Sequence, residues 1–414
     1  MKKQILALTA MLAIAGLASC GGNTEKMKVG LITLHGEDST YDKNFIDAFK
    51  AACEAKGVEG KVQTGVNEDA SCTTAADNMV DDGAKLIFAD SFGHESHLLA
   101  SAKKAADVQF CHATGTQAHT ANQANFHDAF ASIYEGRYLA GVAAGMKLQE
   151  MITAKADTSK KIGYVGAFPY AEVISGFTSY YLGVKSIVSD VTMEVRYTNS
   201  WYDETAERTA ANALIDGGCS IISQHADSWG APTACEAKGV PNISYNGSTE
   251  SQCPNTFVIS SKINWQPYFE MCIDAVKEGK SIATDWTGTV DTDSVQVTAL
   301  GKKAPAAGTQ EKLDEVKAAL KAGTTKVFDT ANFTVKNAKA DTSDFSKAAY
   351  ITMDADGHLT SYKADVDDDG TYVGETEAIK TADGKTYFAE SEMRSAPYFD
   401  ILIDGISVGA DAAA

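Results

Sequence analysis

Aromatic rings and hydrogen-bonding side chains recur along this chain in short clusters, each placed directly after an apolar run. His35-Gly36-Glu37-Asp38-Ser39-Thr40-Tyr41-Asp42 follows Lys28–Leu34, Asp90-Ser91-Phe92 follows Lys85–Ala89, and Phe168-Pro169-Tyr170 follows Lys161–Ala167. Further on come Asn199-Ser200-Trp201-Tyr202-Asp203, Gln224-His225-Ala226-Asp227-Ser228-Trp229 and Tyr245-Asn246-Gly247-Ser248. Such residues suit a flat heterocycle with amide-like edges. Stacking on an aromatic face contributes about 1–3 kcal/mol per ring, and a buried carboxylate or amide at the edge fixes direction. Taken singly, each Ser or Asp reads equally as a helix cap and each ring as core. Only a fold that brings the clusters together makes a site of them.

The intervening pattern supplies such a fold. A strand at 28–34 precedes an amphipathic helix at 42–56, a strand at 85–89 precedes a helix at 94–106, and a strand at 108–112 precedes a long Ala- and Gly-rich helix at 129–151. The polar stretch 153–160 interrupts the series, which restarts with strands at 161–167, 192–197, 219–223 and 241–245 and helices at 204–217, 230–239 and 266–279. Repeated β-then-α units predict parallel sheets, and ligands bind such sheets just past the carboxyl ends of the strands. The expected architecture is α/β, with two doubly wound parallel-sheet lobes joined by hinge strands. Residues 28–155 plus about 290–414 are expected to form an N-terminal lobe with a C-terminal return and insert, and residues 160–285 a C-terminal lobe. Trp286–Thr289 and Ser294–Ala299 read as the return strands to the first lobe, with a helix at 309–322 after them. Several connecting strands permit hinge closure on a ligand.

Lys2 and Lys3 precede an apolar run from Ile5 to Leu17 that ends in Leu17-Ala18-Ser19-Cys20, the layout of a lipoprotein export signal. The expectation is a signal peptide over 1–19, a lipidated tether over 20–27 with Cys20 as its lipidation site, and a body anchored at the extracytoplasmic face of a cell membrane. The chain has 36 basic and 55 acidic residues; without Lys2 and Lys3 the balance is 34 to 55, a net charge of −21. A surface so acidic repels phosphate backbones, which argues against nucleic acid as a partner. With Cys20 lipidated, seven of the eight cysteines remain, an odd number that excludes a complete disulfide framework, and none shows CxxC spacing.

Gly136–Gly145, Lys161–Phe168, Asn199–Asp203, Gln224–Ser228 and Arg394–Phe399 together resemble the basic membrane protein family of substrate-binding lipoproteins that serve ABC importers. That resemblance implies the type I periplasmic-binding-protein fold, an ABC permease as partner, no cofactor, and capture of a purine nucleoside or nucleobase in the cleft between lobes. The alternative on the same fold is a receptor for another small heterocycle such as a flavin, or for a sugar-type signal molecule. By position, the resemblance makes Tyr41, Asp42 and Asn44 first-lobe ligand residues, puts Asn246 where some members place a ribose-binding aspartate, and matches Lys262 to a lysine near the ligand. With the strand-end clusters, the candidate site is Tyr41, Asp42, Asn44, Asp90, Ser91, Phe92, Phe168, Trp201, Asp227, Asn246 and Lys262.

No Gly-x-Ser-x-Gly elbow, Walker A loop or HExxH motif is present, so a binding protein and not a nucleoside-processing enzyme is expected, with no metal. His94 and His97 read as a solvated helix face. Asp365-Val366-Asp367-Asp368-Asp369-Gly370 opens like a calcium loop, but Thr376 stands where the bidentate glutamate belongs, and a hairpin tip is expected instead.

Overall fold

The computed structural model describes residues 26–336, 351–366 and 376–409. Strand β1 (Lys28–Ile32) is buried at every position after its first, as a strand covered on both faces requires. The chain then alternates through α1 (Thr40–Lys56), β2 (Glu59–Gln63), α2 (Ala70–Asp81), β3 (Ala84–Ala89), α3 (Glu95–Ala102), β4 (Gln109–Ala113) and β5 (Phe126–Ala131). Helix α4 (Ile133–Ala154) leads to β6 (Lys161–Gly166), α5 (Ala171–Lys185), β7 (Thr192–Tyr197), α6 (Glu204–Asp216), β8 (Ile222–His225), α7 (Gly230–Lys238), β9 (Asn242–Tyr245) and β10 (Phe257–Ile263). Then come α8 (Gln266–Glu278), β11 (Asp285–Gly288), β12 (Val295–Val297), α9 (Thr309–Lys321), β13 (Ile351–Met353), β14 (Leu359–Tyr362), β15 (Ile379–Ala382), β16 (Lys385–Phe388) and β17 (Ile406–Val408).

Two large sheets result, with strand orders β11-β5-β4-β3-β1-β2 and β12-β10-β9-β8-β6-β7-β17. Every pairing in the first is parallel. In the second, β12 alone runs antiparallel among the described strands. Helices cover both faces of each sheet: α1 and α8 oppose α2 and α3, while α4 and α5 oppose α6 and α7. A glycine on each of α4 and α5 has a packing reason. A Cβ at Gly141 would lie 2.1 Å from the carbonyl oxygen of Tyr180, and one at Gly183 2.3 Å from that of Tyr138, so α4 and α5 cross in backbone contact.

The lobe boundaries differ from those read in the sequence. The chain returns to the first lobe at α8 and not near residue 290, because Trp265, Tyr268 and Phe269 pack into one core with Phe45, Phe49 and Phe88. Strand β11 does join the first sheet, but β12 pairs with β10 and β17 with β7, both in the second. The segment after α9 packs there too, through Phe328, Phe388, Phe399 and Ile401. Residues 126–131 are a fully buried strand and not the start of a long helix. His94 is buried, with Nε2 2.9 Å from the carbonyl oxygen of Val66, and is not part of a solvated face. All seven described cysteines are free, buried thiols. No described helix is long and apolar enough to cross a membrane. Cys20 and Asp367–Gly370 lie outside the described residues.

Candidate ligand site

The carboxyl ends of the two sheets face one another across a cleft. The first lobe contributes Tyr41 and Asp42 after β1, Ser91 and Phe92 after β3, and Thr114 after β4. The second contributes Glu172 from the first turn of α5, Trp201 after β7, His225 and Asp227 at the end of β8, and Tyr245 at the end of β9. The lobes touch at Thr40, whose N–H and hydroxyl donate to the carbonyl oxygen of Asp227 at 3.1 and 3.3 Å.

Three carboxyls set the electrostatics. Burial alone would raise Asp42, but hydrogen bonds from His35 and Ser39 outweigh it and hold the group below the ordinary carboxylate range. Its oxygens accept the His35 N–H at 2.7 Å and the Ser39 hydroxyl at 2.5 Å, while Ser39 caps α1, so Asp42 shapes the loop that carries Tyr41. Asp90 is pushed well up, first by burial and then by Asp42; one of its oxygens accepts Leu34 N–H at 3.3 Å and the other is buried without a partner. Asp227 is also pushed well up by burial, then by Asp42, Glu207 and Glu172, with Arg137 opposing. Among the described residues no hydrogen bond reaches its carboxyl. Nor does Asp227 cap the helix beginning nearby: the N-cap position is Trp229, and the Gly230 N–H donates to the Ser228 hydroxyl at 3.0 Å.

Behind the cleft, the Arg137 guanidinium lies 3.4 Å over the Tyr245 ring and donates to Gln224 O at 2.9 Å, which fixes the tyrosine. His225 packs edge-on against that ring at 4.8 Å, with Nε2 3.2 Å from Glu172. Burial and then Arg137 depress its pKa to about 4, so the ring is neutral at neutral pH. Thr114, Asn199 and Asn246 sit just beyond three strand ends with φ of 65°, 56° and 61°. Left-handed backbone at a β-branched residue such as Thr114 is costly and persists only where neighbours enforce it. Buried Glu95 accepts Thr116 and Gln117 N–H at 2.7 and 2.6 Å, and buried Asp128 accepts Ala118 N–H at 2.8 Å. His112 completes a cluster with them. Both oxygens of Glu95 and one of Asp128 hold the loop that carries Thr114, while Asp128 Oδ1 and His112 Nδ1 are buried without a hydrogen-bond partner among the described residues.

The structure brings together Tyr41, Asp42, Ser91, Phe92, Trp201 and Asp227 in one cleft. Asp90 lies just beneath, its carbonyl taking the Tyr41 hydroxyl at 2.7 Å. Phe168 stands one ring back, stacked on Tyr170 at 5.0 Å and edge-on to Trp201 at 5.1 Å. Asn44, Asn246 and Lys262 are not in the cleft; they line a separate groove beside α1, where Asn44 donates to Ile263 O at 2.6 Å. Sequence reasoning missed Glu172 and Thr114, and left His225 and Tyr245, which it had placed in strand-end clusters, off the candidate site. An acidic residue opening the helix after Phe168-Pro169-Tyr170 was the available signal for Glu172, whereas the twist at Thr114 leaves no trace in residue type.

Two doubly wound lobes facing across a polar and aromatic cleft define a two-lobed ligand-binding protein with the type I periplasmic-binding fold. The chain belongs to the PnrA-like family: residues 29–327 match the family model described as ABC transporter substrate-binding protein PnrA-like. It is 34% identical over 258 residues to a purine-binding protein of Brucella abortus, covering 62% of this chain and 70% of that one. It is 34% identical over 207 residues to a putative ABC transporter glucose-binding protein of Haloferax volcanii, covering half of each chain. Among solved structures, an ABC transporter solute-binding protein from Aeropyrum pernix superposes with a TM-score of 0.62 at 18% identity, over 73% of this chain and 93% of that one. The family is one of substrate-binding proteins and not of enzymes.

Proposed function

We propose that this protein captures a purine nucleoside or nucleobase in the cleft and delivers it to an ABC permease from the extracytoplasmic face of a membrane. The observation that carries the reading is Asp227, a carboxyl 4% exposed, free of hydrogen bonds from described residues and set among Trp201, Tyr41 and Tyr245. A flat ring with N–H groups at its edge supplies the missing donors while its faces stack. The similarity to a purine-binding protein supports this choice. Lobe closure is the signal a permease reads, and its strength equals the ligand's differential affinity for the closed form. A thermal-shift screen of bases, nucleosides, flavins and sugars tests the proposal. A purine at a hundred times its Kd should add about 2.7 kcal/mol of stability. No shift with any purine would overturn it, and a shift with glucose alone would favour the second reading, a sugar receptor, which the Haloferax relative supports.

The anchor rests on the leader ending Leu17-Ala18-Ser19-Cys20. Cys20→Ala should release the protein from membranes while leaving ligand affinity unchanged. Retention of the variant in the membrane fraction would count against lipidation.

A further inference from the structure

We infer that Glu95, His112 and Asp128 form a binding site for one divalent transition-metal ion of the zinc type, set in the first lobe behind the cleft wall that Ser91 and Thr114 make. The inference is independent of what the cleft captures. His112 on β4 and Asp128 on β5 stand directly opposite one another in the parallel register, and Glu95 opens α3. One ligand atom from each residue lies within 4.8 Å of the other two, and all three residues are buried. Ligands drawn from a helix and two strands share no local spacing, so the sequence reads as metal-free.

The hydrogen bonds around the cluster leave two buried acceptors facing each other. His112 Nε2 lies 2.8 Å from the carbonyl oxygen of Ser91, which can only accept, so Nε2 carries the hydrogen and Nδ1 of the neutral ring presents a lone pair. A ring fixed in this way by a backbone carbonyl is the arrangement that metal-binding histidines use. Nδ1 is 4.0 Å from Asp128 Oδ1, and among the described residues neither atom has a hydrogen-bond partner. That separation is too long for a hydrogen bond, whereas two ligands on one ion with bonds of about 2.0–2.2 Å stand up to about 4.2 Å apart. The third ligand is open as well. Thr116 and Gln117 N–H fill Oε1 of Glu95, but among the described residues Oε2 accepts only the Gln117 side-chain amide, at 3.0 Å, and keeps a lone pair.

Charge and space agree with a cation. Among the described residues no Lys or Arg pairs with either carboxyl, and burying such groups without a partner is costly. A proton shared between Glu95 and Asp128 would meet part of that need but leave His112 Nδ1 unpaired. Gly115 lets the loop close over the cluster: a Cβ there would lie 2.2 Å from Asp128 Oδ1 and 2.5 Å from Glu95 Oε1. One imidazole with two carboxylates selects zinc or its first-row neighbours over magnesium and calcium, which take oxygen shells. His112 holds the Ser91 carbonyl, and the two carboxyls hold the N–H groups of Thr116, Gln117 and Ala118, so the ion would stiffen the first-lobe wall of the cleft.

Dialysis of the purified protein against a chelator, followed by calorimetric titration with Zn²⁺, Mg²⁺ and Ca²⁺ in separate runs, tests this. Zn²⁺ should bind at one equivalent per chain and raise the thermal midpoint of unfolding, while Mg²⁺ and Ca²⁺ do neither. His112→Gln and Asp128→Asn should each weaken Zn²⁺ binding by about a hundredfold or more, since losing an outer-shell partner alone costs about 10–100-fold. If the variants fail to fold, Co²⁺ on the wild-type protein decides. Ligation by nitrogen and oxygen gives visible d–d absorption without the near-ultraviolet charge-transfer band that a thiolate from one of the buried cysteines would add. No Zn²⁺ uptake, uptake undiminished in the folded variants, Mg²⁺ or Ca²⁺ binding as tight as Zn²⁺, or a thiolate band would each overturn the site.

Discussion

Asp227→Asn should weaken purine binding by about 1.5–3 kcal/mol, roughly tenfold to more than a hundredfold, while making the empty protein more stable at neutral pH. The affinity loss follows from replacing a carboxyl, which the N–H groups of a bound purine would hold ionised, with an amide that offers one acceptor and an unwanted donor. The gain in stability follows from burial. Asp227 is pushed well above the ordinary carboxylate range by desolvation and by Asp42, Glu207 and Glu172, so the folded protein holds its proton more tightly than the unfolded chain does. Between the ordinary value near 3.8 and the raised folded value, the native state binds more protons. Stability from this group is therefore complete below the ordinary value and lost as pH rises through the raised one, with a slope of up to about 1.4 kcal/mol per pH unit. Asp90, and Glu207 raised to about 7, act in the same direction, so both proteins lose stability as pH rises. The difference between them isolates Asp227. Urea unfolding at pH 4.5 and 7.5 should show a smaller loss for the variant, and identical losses would sink the electrostatic account. Unchanged purine affinity would remove Asp227 from the site.

The alternation of sheet and helix was legible because a strand buried on both faces must be apolar throughout, as Val29–Ile32 is, whereas the helix after it carries a polar side. Strand-end logic picked out Ser91, Phe92, Trp201 and Asp227, and the family resemblance Tyr41 and Asp42 within the first strand-end cluster; all six line one cleft. It failed where a single residue decides direction. Tyr245 lines the cleft, and Asn246, one residue later at φ 61°, lines the groove outside it. Lobe membership was harder to read for a related reason. The aromatic residues around α8 announce a buried face, but nothing local says that Phe45 and Phe88 will receive it. Likewise β17 pairs with β7 some two hundred residues earlier, a partner invisible to any window of sequence.

Trp201→Ala should cost purine binding about 1–3 kcal/mol, about fivefold to over a hundredfold, with a smaller effect on folding. The indole is half-buried and meets Phe168 edge-on at 5.1 Å and Tyr170 at 6.0 Å, so these rings hold it in place without enclosing it. Its contribution to Asp227 runs through the backbone: the carbonyl oxygen of Trp201 accepts Asp227 N–H at 2.9 Å, a bond that truncation of the side chain leaves intact. The alanine variant thus removes a stacking face while keeping the carboxyl where it is. Trp201→Phe should restore most of the affinity, because a smaller ring still stacks. Calorimetry paired with urea unfolding separates the roles. Lost affinity at nearly unchanged stability, recovered by phenylalanine, assigns the indole to the ligand. A large loss of stability with full affinity in the folded fraction would assign it to the scaffold that Phe168 and Tyr170 share.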